Sequence, residues 1–467
     1  MSTPRLQAGV GRSDISPPVG VAHAGWGAQT HQRSEGNDMP SYATALVVSN
    51  GDLALAIVDI DILILNPDMD RAVREEIAER TGIPAEHQRV AYSHTHSGVA
   101  FLSRWITEGA DLAQEWLDNL PAAAAAAVEQ AAAASRPVRV SAGRGECSIN
   151  INRRPADASG RLFTGRNWDG PVDHEVGVVG IDNLDGDPVA TLMVYACHPT
   201  IMGHENRMVT PDFPGPARRV VEQTVGGTCL FLQGAGGNQG PVHGFTGDLR
   251  VYRREGAKLG AAAAAVRLGL DPVQRRERLV EILPSGADLG IYEDEPVGES
   301  DDSLAVADVP IDLPLRELRP FDTLQSTYDY AAAELERLRS SGADQAALRL
   351  AVSKAQKAVI ALNCARLAQR YARDGVIPMT VQAMRIGPAV LVAVPLEPFA
   401  EVGLDVKGRS RAPFTFFSGF SNGHFNYLPT DQAIEEGGYE VDVSPFAAGS
   451  AGIVTNASLD AIDRVWP

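Results

Sequence analysis

The chain has 467 residues, 41 basic against 59 acidic side chains, a formal net charge of −18, and 44% hydrophobic and 21% charged content. These are the proportions of an ordinary globular protein, long enough to bury a large core. The acidic balance argues against a general nucleic-acid binder and disfavours adsorption to anionic membranes.

The first twenty residues hold no continuous apolar stretch of the kind a secretory leader needs. The longest apolar run, 53–65, contains Asp59 and Asp61 and is too short and too acidic to span a bilayer. Cys147, Cys197, Cys229 and Cys364 are scattered with no CxxC pair, which points to four reduced thiols in a cytoplasmic protein.

In chain order, residues 43–49 and 53–65 flank Asn50-Gly51 and read as a hairpin. A helix is expected over 70–80 and a strand over 88–92. Residues 111–135 form an alanine-rich helical pattern in which Pro121 is expected to make a break. A second hairpin spans 176–181 and 189–196, and helices follow over 214–224 and 249–268. Between them Cys229 opens a strand that leads into a glycine-rich loop ending at Pro241; its glycine spacing does not fit a dinucleotide fingerprint. Residues 293–302 read as an acidic exposed loop, and 323–373 as an antiparallel helical hairpin broken at 340–342. A third hairpin covers 381–386 and 390–394. The pattern predicts one mixed α/β (α+β) domain over 1–467: a large hairpin-rich mixed sheet flanked by helices, with a loop and helical-hairpin insertion at about 271–375.

Chemistry concentrates where apolar strands end. His94 and His96 follow the strand at 88–92, His198 follows 191–196, and Glu397 follows 389–394. If the pair at 94 and 96 continues its strand, both imidazoles face one side. A lone His198 reads as a core histidine and a lone Glu397 as a sheet-edge ion pair. Together they supply what a catalytic zinc ion needs: few, rigid ligands and an open position for water. The hairpin-rich pattern disfavours a binuclear site in a regular βα barrel. The sequence has no GxSxG elbow and no P-loop.

Taken in order, AGVGRSDI at 8–15, SHTHSG at 93–98, NINR at 150–153, His198-Pro-Thr, Gln233 through Asn238, Glu397, Tyr427 and Tyr439-Glu440 resemble the neutral/alkaline (non-lysosomal) ceramidase family. The resemblance implies one zinc ion per chain, held by His94, His198, Glu397 and Tyr427. It implies that His96 helps to polarise an amide carbonyl, and that Arg153 and Tyr439 stabilise the oxyanion. The substrate so implied is a lipid-like N-acyl amide, cleaved by zinc-activated water. Where the family usually carries Asp and Ser, this chain has Asn238 and Gly240, which removes a candidate serine nucleophile and leaves open an amide other than ceramide. Pro467 comes too soon after Tyr439 for the family's C-terminal immunoglobulin-like domain of roughly 100 residues. An esterase, lactonase or other acyl- or glycosyl-cleaving enzyme on the same site stays open, as does a non-catalytic zinc-containing binding protein.

Overall fold

In a computed structural model, residues 6–467 are described apart from 24, 30, 101–107 and 274; the first five residues of the stretch read for a leader lie outside them. Strand residues alternate between two buried faces, and among the described residues two large sheets result beside four two-stranded pairings. The larger has eight strands in the order Thr228–Gln233, Pro188–Tyr195, Glu175–Asn183, Arg136–Glu146, Gln7–Asp14, Tyr42–Ser49, Ala54–Ile60 and Gln88–Tyr92. Its inner neighbours pair antiparallel, while the outermost pair at each end is parallel. The smaller sheet orders Leu304–Pro314, Val376–Ile386, Ala389–Ala393 and Phe414–Ser418. The sheets pack face to face: Val179, Leu192 and Leu230 of the first meet Met384, Leu391 and Phe416 of the second.

Ten helices complete the described chain: α1 (Pro67–Thr81), α2 (Ala110–Ala133), α3 (Pro214–Thr224), α4 (Leu249–Leu268), α5 (Phe321–Ser340), α6 (Gln345–Tyr371), α7 (Ala400–Arg409), α8 (Asp431–Glu436), α9 (Tyr439–Val443) and α10 (Ser450–Val465). Helices α1 to α4 cover the outer face of the large sheet, and α7 and α10 cover that of the small one. The mixed α/β architecture expected from the pattern is therefore present. None of the helices is long and apolar enough to cross a membrane. The four cysteines are buried and unpaired.

Two acidic residues in the apolar run 53–65 have a structural use. Arg218 of α3 donates to Asp59 at 2.7 Å and to Asp61 at 2.6 Å, all three buried. Burial pushes the Asp59 carboxyl up to about 6, against the pull of Arg218. Asp59 also accepts from the Phe231 amide at 2.9 Å, which ties the two ends of the large sheet together.

The structure corrects the sequence reading at three places. Pro121 does not break α2, which runs unbroken from Ala110 to Ala133. One lost N–H bond costs about 3 kcal/mol; burial of Leu120, Ala124, Ala127, Val128 and Ala131 against sheet and α1 outweighs it. The expected loop at 293–302 begins inside a strand: Arg275–Leu283 and Leu289–Pro296 form an antiparallel ribbon. The segment 271–375 is thus more than a loop and two helices, because Leu304–Pro314 within it is a strand of the small sheet. The α5–α6 hairpin is present as expected.

The alanines of α2 have a packing reason. A Cβ on Gly11 would lie 2.1 Å from the Ala127 carbonyl oxygen, and one on Gly9 2.2 Å from that of Ala131, so α2 rests on bare strand backbone. Gly11→Val is expected to lower unfolding free energy by about 3 kcal/mol, read as a lower urea midpoint. An unchanged midpoint would refute this contact.

Candidate metal centre

Strand Gln88–Tyr92 ends two residues before His94. His94 takes a left-handed backbone conformation, with φ of 64°. The 94–96 pair is therefore not an extension of the strand, and the same-face argument does not apply. The turn, strained for a non-glycine residue, is held by the His94 amide donating to Ile62 O at 3.0 Å. The His94 Nδ1 lies 2.6 Å from Leu63 O. His198 follows strand Pro188–Tyr195, and its Nδ1 lies 2.7 Å from Gly236 O in the glycine-rich loop. A carbonyl can only accept, so both Nδ1 atoms carry the proton and both Nε2 atoms present lone pairs. Those lone pairs meet at 3.1 Å.

Glu397 opens the two-residue strand Glu397–Pro398, which pairs in parallel with Tyr427–Leu428. Its Oε2 lies 3.7 Å from His94 Nε2 and 3.4 Å from His198 Nε2 and has no hydrogen-bond partner in the protein. The Tyr427 hydroxyl lies 3.2 Å from His198 Nε2. Burial pushes His94 well below the ordinary imidazole range, and it lowers His198 as well. Burial opposes the charge on Glu397, yet the carboxyl lies well below the usual range, with the hydrogen bond from His424 Nε2 to its Oε1 at 2.8 Å among the causes. Two neutral imidazole lone pairs and an ionised carboxylate oxygen thus converge in a buried space with no proton among them. A divalent cation fits that donor set, and nitrogen and oxygen donors of this kind suit zinc.

His96 sits beside this group, its ring centroid 5.0 Å from that of His94 and 5.6 Å from that of His198. Its Nε2 is shielded and unpartnered, and burial holds the ring down at about 3, so it is neutral. The candidate ligand nitrogens of His94, His96 and His198 all lie within 4.8 Å of one another, which makes His96 a third candidate imidazole donor. Arg153 follows strand Asn150–Asn152; its Nη2 donates to the Tyr427 hydroxyl at 2.9 Å and its Nε to Glu440 at 2.9 Å. Tyr439 begins α9, is 45% exposed, and stands edge-on to Tyr427 at 5.9 Å. All seven residues singled out in the sequence therefore come together.

His424 and Trp26 were missed, and Glu440, quoted with Tyr439 in the motif, was given no role. His424 Nε2 lies 2.8 Å from Glu397 Oε1 and so orients the carboxylate. Glu440 bridges Arg153 and Arg154, the latter at 2.8 Å. Trp26 lays its ring 5.2 Å from that of His96. The available signals were weak: His424 is three residues before Tyr427, Glu440 adjoins Tyr439, and Trp26 stands in a glycine-containing loop. Asn238 accepts from the Ala400 amide at 2.8 Å and donates to Glu401 at 2.8 Å, tying the glycine-rich loop to α7. A Cβ on Gly240 would lie 3.2 Å from the Arg153 Cβ, so the hydroxyl this chain lacks would have stood against the arginine stem.

Sheet ends carrying histidines, a carboxylate and a tyrosine define a candidate metal centre in an αββα fold. Residues 6–246 match the model of the family described as neutral/alkaline non-lysosomal ceramidase, N-terminal, and the chain belongs to that family. It is 26% identical over 253 residues to neutral ceramidase A of Dictyostelium discoideum, covering 50% of this chain and 35% of that protein. Neutral ceramidase B of the same organism is 28% identical over 140 residues, covering 29% and 20%. The matched regions thus span about a third or less of these relatives. The crystal structure of neutral ceramidase from Pseudomonas aeruginosa superposes with a TM-score of 0.66 at 17% identity, covering 100% of this chain and 75% of the other. A structure described as ceramidase complexed with C2 gives 0.65 at 18%, covering 98% and 75%. At those identities the likeness concerns the fold.

Glu440→Gln would leave two buried guanidinium groups without their shared charge. It is expected to cost about 3–5 kcal/mol of stability, seen as a lower thermal midpoint; an unchanged midpoint would show that this pairing holds nothing together.

Proposed function

We propose that this chain is a zinc-dependent hydrolase that cleaves a lipid-like N-acyl amide. The observation that carries this reading is the 3.1 Å approach of two unprotonated imidazole nitrogens beside the unpartnered oxygen of Glu397. His94, His198, Glu397 and Tyr427 would hold the ion. Zinc in such a site supplies Lewis acidity, which polarises a carbonyl and acidifies water.

The chain's own residues supply the rest. His424 fixes the carboxylate of Glu397, and Leu63 and Gly236 fix the two imidazoles. Neutral His96 has its Nδ1 3.3 Å from Gly25 O, so Nδ1 carries the proton and the unused Nε2 offers a lone pair to a proton of water rather than to a substrate carbonyl. Arg153 holds a permanent positive charge against Tyr427, where negative charge on a carbonyl oxygen would be stabilised. Tyr439 brings a hydroxyl to the exposed side. Gly240 leaves no serine beside Arg153, which favours water over a side-chain nucleophile. The family and the names of its similar members support an amide of lipid character.

The test is metal analysis with a panel of N-acyl amides, esters and lactones. One zinc per chain is expected, with amide hydrolysis lost on chelation and restored by zinc. His94→Ala and Glu397→Ala should each lose the metal and at least about 100-fold in amide turnover. Full occupancy and full activity in both variants would end this reading, and turnover of esters alone would move the bond cleaved. His424→Ala should weaken zinc binding by about 10–100-fold in a chelator competition while the circular dichroism stays unchanged.

A further inference from the structure

A groove of about 440 Å³ runs between the Trp26 loop and the α5–α6 hairpin. Its walls include Trp26, Leu335, Leu348 and Val352. Arg339 and Arg349 also line it, both exposed, and neither guanidinium meets a carboxylate among the described residues. At one end the groove adjoins the metal centre, because Trp26 is both its wall and the ring against His96. The Trp26 indole N–H is shielded and has no acceptor in the protein, leaving a donor at that junction. Helix α6 links the two regions. Gln356 donates to Gly27 O at 2.8 Å, and one turn on, Ile360 packs on the cluster containing Tyr427. From Gln356 back to Gln345 the groove follows roughly 16 Å of helix towards the hairpin tip.

We infer that this groove binds the aliphatic chain of the substrate acyl group, and that the chain ends in an anion held by Arg339 and Arg349. That the chain belongs to an acyl group rests on the amidase reading above; the affinity of the groove does not. The walls suit methylenes, and the site end suits the amide. Two unpaired arginines in a chain of net charge −18 create a local positive field where an aliphatic tail of this length would end. A terminal carboxylate and a terminal phosphate share this chemistry.

Calorimetric titration of the full chain, below micelle concentrations, compares dodecanoate, dodecanedioate and dodecanoate bearing a terminal phosphate. One or both anion-terminated chains should bind about tenfold tighter than dodecanoate, and the tighter one names the group. Arg339→Ser with Arg349→Ser should erase that difference. Val352→Trp, which fills the groove, should weaken binding of all three by about tenfold; Leu348→Trp serves if that variant misfolds. Equal binding of all three by the wild type, or binding indifferent to the filling variants, would overturn the inference. A parallel assay on N-acetyl and N-dodecanoyl amides separates the two proposals. Groove binding without any amide hydrolysis would sink the amidase reading alone. Hydrolysis with no groove binding would sink this one alone.

Discussion

Two lone pairs pointed at each other across 3.1 Å are the constraint on which the molecule depends. Left to themselves, two neutral imidazoles would turn apart. Here each ring is pinned from behind by a backbone carbonyl, Leu63 O for His94 and Gly236 O for His198. Those carbonyls sit in loops that leave the ends of strands Ala54–Ile60 and Thr228–Gln233. The buried Asp59–Arg218–Asp61 group joins these two strands, so the scaffold behind both histidines is one unit. The left-handed backbone at His94 stores about 1–3 kcal/mol of strain, held in place by the Ile62 and Leu63 contacts.

A second layer balances charge around the first. Glu397 is buried, and so are Glu440, Arg153 and Arg154. Taken singly, each of these would be costly to desolvate. Taken together, Glu440 satisfies both arginines, and Arg153 reaches past it to the Tyr427 hydroxyl. Burial drives the Tyr427 phenol well above its ordinary range while Arg153 pulls it the other way. The guanidinium is thereby placed to stabilise oxygen charge at that phenol without a proton transfer. The large sheet contributes the histidines, the segments beside the small sheet contribute Glu397 and Tyr427, and the site exists only where the two meet.

What could be read from the sequence divides along physical lines. The three hairpins, the strand at 88–92 and the helices over 214–224, 249–268 and 323–373 were legible because periodicity and turn residues are local signals. The site residues became legible as a set through short motifs in order. Geometry inside the site was not. A left-handed histidine leaves no mark in composition, so the His94 and His96 side chains had to be misread as strand neighbours. Pro121 is a strong local breaker, and only tertiary burial of the alanine face overrides it. The ribbon at 275–296 was hidden because its charged ends, Arg275 to Arg278 and Glu293 to Glu295, resemble a loop until paired across strands. His424 and Trp26 act through contacts distant in sequence, with Glu397 and His96, that no spacing rule reports.

The arrangement also separates the donors of the candidate metal centre from the surface that leads to it. The metal-centre side chains stand at sheet ends locked by backbone carbonyls, buried carboxylates and the fixed register between Glu397–Pro398 and Tyr427–Leu428. A change there propagates into both sheets. The α5–α6 hairpin is different: its own small cores, centred on Leu324 and Leu362 and on Leu335 and Ala355, are internal to it. It touches the centre through contacts of α6: Gln356 on the Trp26 loop, Ile360 on the Tyr427 cluster, and Cys364 on Val443 O of α9. Substitution along the hairpin can therefore alter what reaches His96 without disturbing the donors of His94, His198 and Glu397. Within one family, that is a physical route by which the site can stay constant while the group presented to it changes.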